Sequence, residues 1–276
     1  MAKKSLFIRF SLYILLIVVM LLFMGPIIWV LFLSLRPAVT NRTIPPTVIF
    51  KPTFEYFYYC FVNPGVSLNY LISSLILAFG SALLSLPFSI LASYAISRFK
   101  FRGRKFITLF YLSLFFGPPV AYLIPYFLII SRIGLAETYQ SMILIYQTFT
   151  IPFSILIMKS FFDEVPIEIE EAAMVDGTNR LGALIRVVIP ISLPGIIVSF
   201  MFAFIFSWNN AVFPLVLSGY STKPLPIGTF NFFATTGVAW NNIAATSVVT
   251  MLPPMLIFLA LGKYVVRGLT FGAVKQ

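Results

Sequence analysis

The sequence predicts an all-α, polytopic membrane protein with six transmembrane helices. Only 10% of the 276 residues are charged and 60% are hydrophobic, whereas a soluble domain carries about 25% charged residues. So few charges could not cover a soluble core. The apolar residues fall into six runs at or near the roughly 20 residues that span a bilayer. The acids are segregated as well: six of the eight lie between Asp163 and Asp176.

The first run, 10–35, follows Lys3, Lys4 and Arg9. It is longer than the about 7–15 residues of a signal-peptide core, and no small-residue cleavage pattern follows it. It is expected to be a retained first span. The others are expected at 70–96, 106–131, 141–158, 195–217 and 244–266. The third contains Gly117-Pro118-Pro119 and Pro125, the fourth Pro152, and the sixth Pro253-Pro254. Proline removes a backbone donor and kinks a helix, and the freed carbonyls need partners at membrane depth. Such kinks suit helices that line a cavity or that pack irregularly, and both readings stay open. No internal repeat is evident.

Basic residues accumulate in cytoplasmic loops. With the N- and C-termini cytoplasmic, 14 of the 19 Lys and Arg residues fall on the inner side. The cluster Arg98–Lys105 is the firmest anchor, and it places the acidic segment in the cytoplasm. The net charge of +11 is therefore a signature of topology and membrane lipid, not of a nucleic-acid partner. Histidine is absent and Cys60 is the single cysteine. An intrachain disulfide and a cysteine metal site are excluded, and the commonest general base and metal ligand is missing. No catalytic or metal residue is expected, and the chain does not read as an enzyme. No charge lies near the middle of any predicted span, unlike ion-coupled carriers, so energy for transport would come from a partner.

The acidic segment, 163–194, has the pattern of two short helices joined by a corner. Pro166 suits a first helical position. Glu168, Glu170 and Glu171 complement the positive helix end. Ala172, Ala173 and Met174 continue the helix, and Gly177 is expected to be its left-handed cap. Thr178 is expected to cap the next helix, whose Leu181, Leu184, Ile185 and Val188 share one apolar face. Pro190 and Pro194 close the unit. An interfacial helix would favour Lys and Arg. An acidic one is repelled by anionic lipid and fits a basic soluble partner.

Glu171-Ala172-Ala173, then Asp176-Gly177, nine residues, and Val187-Val188-Ile189-Pro190 resemble the EAA motif of ABC-importer permeases. Val187 and Ile189 replace the usual Ile and Leu. The stretch IPYFLIISRIGLAETYQSMIL, the segment Trp208-Asn209-Asn210 with Pro214-Leu215, and the ending TMLPPMLIFLALGKYVVRGLTFGAVKQ resemble the smaller permease subunit of maltose-type carbohydrate importers. Asn210 stands where an acid is frequent.

The resemblance implies the type I ABC-importer (MetI-like) fold, here a single permease domain 1–276, in a bacterial or archaeal cell membrane. It implies a second permease subunit, two cytoplasmic ABC ATPase subunits and an extracytoplasmic sugar-binding protein. ATP and Mg would be bound by the partner ATPase, with no cofactor in this chain. Glu170, Glu171, Ala172, Ala173, Asp176, Gly177 and Pro190 would couple to the ATPase. The tail Val274, Lys275, Gln276 would reach the ATPase dimer, or form a free terminus. The outer loop, 218–243, with Phe232, Phe233 and Trp240, would project to the binding protein or form a packed cap. Gln147, Ser207, Trp208, Asn209 and Asn210 are candidates for the substrate pathway, or for hydrogen bonds between helices. The expected cargo is a sugar or oligosaccharide. Alternatives are glycerol phosphate or a polyol on the same machinery, or a scaffold without transport.

Overall fold

A computed structural model describes residues 2–37, 49–62, 68–234 and 237–271. The described residues are almost wholly helical. The exception is a two-residue antiparallel ladder that pairs Phe233 with Val238 and Ala234 with Gly237. Four helices contain stretches long and apolar enough to cross a membrane: Phe10–Leu35, Leu68–Arg98, Tyr139–Glu164 and Trp240–Val265. Among the described residues the total reaches six when each of two bent helix pairs counts as one span. Where the sequence suggests one domain, contacts divide the chain into two compact units.

The first unit comprises Met1–Ser67 with Thr229–Met251. Its long helix α1 (Ala2–Leu35) is apolar all round from Phe10 onward, and every side chain from 10 to 29 is exposed. That is the pattern of a membrane span, not of an amphipathic surface helix. The last carbonyls of α1 need partners. Asn241 Nδ2 donates to Leu33 O at 3.0 Å and to Arg36 O, while Thr53 N–H donates to Leu35 O at 2.9 Å. The short helix α2 (Glu55–Val62) carries Cys60, fully buried. Its thiol donates to Asn242 O and accepts from Thr246 Oγ1 at 3.4 Å.

The second unit comprises Leu68–Gly228 with Leu252–Gln276. Its centre is α3 (Leu68–Arg98), packed along α6 (Tyr139–Glu164) and against α9 (Leu193–Asn209). Small residues make this seam close. Ser81, Ser85, Ser89, Ser93 and Ser97 recur every fourth position of α3, and all are buried. Residues four apart share a helix face, and small side chains let backbones approach. Aromatic rings fill the remaining space; Phe149 of α6 stacks on Phe206 of α9 at 5.4 Å.

Two predicted spans are interrupted. The third, 106–131, breaks into α4 (Arg104–Phe116) and α5 (Pro119–Arg132), bent by 94°. Each residue before a proline is pushed out of the α region. Gly117 and Pro118 both precede one, and both are extended, with ψ of 133° and 124°. The fifth, 195–217, leaves the helix at Asn210 and resumes as α10 (Val212–Leu217). Pro214 cannot donate back to residue 210, and the Asn210 side chain instead accepts from Phe213 N–H at 3.3 Å. The segment α10 then packs on α5 and α6 through Phe213 and Leu217.

Helix α11 (Trp240–Phe271) gives its first half to the first unit and its second half to the other.

Burial raises the Cys60 thiol above its usual pKa, and the Thr246 hydrogen bond only partly offsets this. The reactive form is the thiolate. Cys60 should therefore resist maleimide at neutral pH in folded protein and react at once in denaturant. Rapid labelling of the native protein would contradict the burial.

Candidate functional site

The acidic segment folds as a helical elbow. Helix α7 (Ile167–Val175) opens with Pro166 as the cap residue itself, one position before the place expected from sequence. It ends in a Schellman turn: Thr178 N–H donates to Ala173 O at 3.2 Å and Gly177 N–H to Met174 O at 3.1 Å. The turn requires a left-handed residue, and Gly177 supplies it with φ +93°. No atom lies within 4 Å of the place a Gly177 Cβ would take. The glycine is thus demanded by conformation, not by crowding within this chain.

The cap of the next helix differs from expectation. Asn179, not Thr178, accepts from Gly182 N–H at 2.7 Å, while the Thr178 hydroxyl donates back to Ala173 O. Asn is as good a cap as Thr, and the Schellman turn has already engaged Thr178. Helix α8 (Arg180–Ile191) contains a π-helical turn, Leu184–Val188, just before Pro190. A regular turn would press the proline ring onto the carbonyl four residues earlier, and π turns often occur at functional places. The helix meets α9 at 79°.

The elbow is anchored by three consecutive residues at the end of α3. Arg98 Nε donates to both Glu170 oxygens, at 3.1 and 3.0 Å, and its Nη2 donates to Val165 O at 2.9 Å. Both side chains of this ion pair are only 5% exposed. Ser97 Oγ donates to Asp163 Oδ1 at 2.6 Å, and Lys159 pairs with the same carboxylate. The Arg180 guanidinium lies over the Phe99 ring at 5.2 Å. Beneath these contacts, Tyr94, Met158, Phe162, Leu184, Val188 and Ile196 form an apolar core.

Helical periodicity divides the predicted site residues. Glu170 turns inward, with Ala173 and Met174 partly buried beside it; its carboxylate is engaged by Arg98 and is not on the surface. Glu171, Ala172, Asp176, Gly177 and Pro190 are exposed. The apolar face foreseen for α8 is split, with Leu184 and Val188 buried but Leu181 and Ile185 each 55% exposed. Val175, overlooked in the sequence, is 87% exposed beside Glu171. Its position four residues beyond Glu171 was the available signal. The outer surface of the elbow thus combines carboxylates, small residues and exposed aliphatics.

The other candidates are scattered. Gln147 Nε2 donates to Ile143 O at 2.8 Å and to Ser81 O at 3.3 Å, and its oxygen accepts from Thr150. It ties α6 to α3. Ser207 and Trp208 are buried, and Trp208 stacks on Phe204 at 5.7 Å. Asn209 is exposed, while Asn210 shapes the break before α10. In the 218–243 loop Phe232 is buried, Trp240 is 59% exposed, and the Phe233 side chain lies outside the described residues, as do Val274, Lys275 and Gln276. Tyr220, 82% exposed, and Phe230, 55%, are accessible rings that sequence reasoning passed over. Among the described residues no three His, Cys, Asp or Glu side chains are placed to hold a metal ion.

The family described as binding-protein-dependent transport system inner membrane component matches residues 85–271, which include the whole elbow. The chain belongs to this family. It is a permease component and a multi-pass inner-membrane protein, not an enzyme. It is 32% identical over 254 residues to the inner membrane ABC transporter permease protein YcjP of Escherichia coli (strain K12), covering 91% of this chain and 90% of that one. It is also 32% identical to the trehalose/maltose transport system permease protein MalG of Thermococcus litoralis, with 91% of each covered. Its fold resembles a crystal structure of a bacterial ABC transporter involved in the import of the acidic polysaccharide alginate, with a TM-score of 0.79, 19% identity, and 95% and 97% of the two chains covered.

Removing one partner of a buried ion pair costs about 3–5 kcal/mol, because a charge is left uncompensated. Glu170→Ala and Arg98→Ala should each lower the thermal midpoint of the purified permease complex markedly. Glu171→Ala, one residue away but exposed, should leave it unchanged. Equal midpoints for the Glu170 and Glu171 variants would remove the anchor.

Proposed function

We propose that this chain is one of two permease subunits of an ATP-driven importer for a sugar or oligosaccharide, served by an extracytoplasmic binding protein. The reading rests on the elbow. It is a rigid unit with a buried internal anchor and an outer face of Glu171, Ala172, Val175, Asp176, Leu181 and Ile185. Small residues admit close approach, aliphatics bury apolar area, and two carboxylates fit a basic groove on an ATPase. The 14 basic residues on one side of the predicted topology support placing this face in the cytoplasm.

A carbohydrate cargo is supported by the trehalose/maltose relative, alike over nine-tenths of both chains. It is further supported by the chemistry of the spans, where the central polar groups are uncharged. Asn209 is the pathway candidate most open to a solute, because Gln147 is engaged between helices. Tyr220, Phe230 and Trp240 offer rings for contact with the binding protein. With no charged side chain near the middle of any predicted span, the energy comes from ATP and Mg on the partner ATPase. Nucleotide-driven motion of the ATPase would reach α3 and α6 through the Arg98–Glu170 anchor.

The test separates conformation from docking at Gly177. A left-handed non-glycine residue costs about 1–2 kcal/mol, and Asn tolerates this region best. Gly177→Asn should assemble with the ATPase and support near-normal uptake. Gly177→Leu has room within this chain but would project into the partner, so binding-protein-stimulated ATPase activity and uptake should fall at least tenfold. Normal coupling in the Leu variant would sink the assignment.

A further inference from the structure

Five cations converge where α3 gives way to α4. Arg104, Lys105, Thr108 and Leu109 of α4, with Lys159 of α6, line a pocket of about 460 Å³. An adjoining concavity is lined by Lys100, Phe101, Arg102, Gly103 and Phe106, and shares Arg104 and Lys105 with the first. No carboxylate lines either one. Asp163, outside both linings, pairs with Lys159 and accepts from Ser97.

The local electrostatics are unfavourable as they stand. Cations destabilise the start of a helix, whose N–H groups already form a positive end. Helix α4 nevertheless opens with Arg104 and Lys105, has no acid in its first turn, and follows Gly103, which provides no side-chain cap. A positive-inside signal needs cations in this loop, but it does not need Lys159 of another helix to share a pocket with them. An anion would relieve the repulsion.

The flank of the pocket selects among anions. Phe106 is 71% exposed, Leu109 63% and Phe110 50%, all on the first two turns of α4. A soluble phosphate would leave these rings and aliphatics bare, whereas acyl chains would cover them. We propose that this pocket binds the phosphate headgroup of an anionic phospholipid. The phosphoryl oxygens accept from Arg104, Lys105 and Lys159, and the chains lie along Phe106, Leu109 and Phe110. Basic pockets between membrane helices are suited to such headgroups. The site requires only a membrane-inserted chain, so it stands or falls independently of the cargo and of ATPase docking.

The test uses the assembled transporter in lipid nanodiscs and native mass spectrometry, with phosphatidylglycerol and phosphatidylcholine as probes. Phosphatidylglycerol should be retained in preference. Lys159→Gln leaves the Arg98–Lys105 cluster intact, and should weaken that retention about fivefold, the effect of one cation worth about 1 kcal/mol beside an anionic lipid. Thr108→Asp removes no cation and should weaken it as well, whereas Arg104→Lys and Lys263→Gln, a cation outside both linings, should not. Equal retention of the two lipids by the native protein would overturn the site. So would unchanged retention in both the Lys159 and Thr108 variants. Displacement by inorganic phosphate with no lipid preference would reveal a soluble-anion site and refute the lipid occupant.

Discussion

A single guanidinium–carboxylate pair decides where the elbow sits. Arg98 engages both oxygens of Glu170 and the carbonyl of Val165, so one side chain fixes a helix and the corner that precedes it. Neither charge reaches solvent, and a half-broken buried pair is far costlier than either an intact pair or none. The elbow is therefore attached to α3 in one arrangement. Ser97 and Phe99 extend the attachment to the end of α6 and to α8. Three adjacent residues, the last two of α3 and Phe99 just beyond it, thereby hold three other helices, and the remaining acids of the segment are left to face outward.

Much of this architecture was legible in the chain. The six apolar runs, the position of the elbow and the left-handed Gly177 all follow from composition, periodicity and turn chemistry. What escaped was tertiary. Arg98 reads from sequence as one more topological cation, because nothing local distinguishes it from Lys100 or Arg102. Glu170 and Glu171 are chemically identical neighbours, separated only by the 100° that a helix turns per residue. The broken third span shows the opposite failure. Gly117-Pro118-Pro119 announced a kink, but hydropathy averages over 20 residues and cannot tell a bend from a break of 94°.

The polar groups inside the membrane-spanning helices serve the helices more than any solute. Gln147 spends both ends of its amide on α3 and α6. Two serine hydroxyls of α3, those of Ser85 and Ser93, return to carbonyls of the preceding turn, at Ala82 and Ile90. Such bonds satisfy the hydroxyl wherever the helix is placed, so they add little to the specificity of packing. Of the candidate pathway residues, Gln147, Ser207 and Trp208 are thus committed to the packing of the helices, and Asn209 is the exposed one.

The serine row on α3 also governs how this protein can change over evolutionary time. In water-soluble cores, loss of volume is the usual injury, because a cavity opens. A seam made close by serine has little volume to lose. Serine to alanine or glycine removes an atom or two from a contact that depends on proximity. Serine to leucine forces two backbones apart along their whole length, since neighbours at every fourth position share the same gap. The seam should accumulate small-for-small exchanges freely and reject enlargement almost everywhere. Drift there would be broad in chemistry and narrow in size.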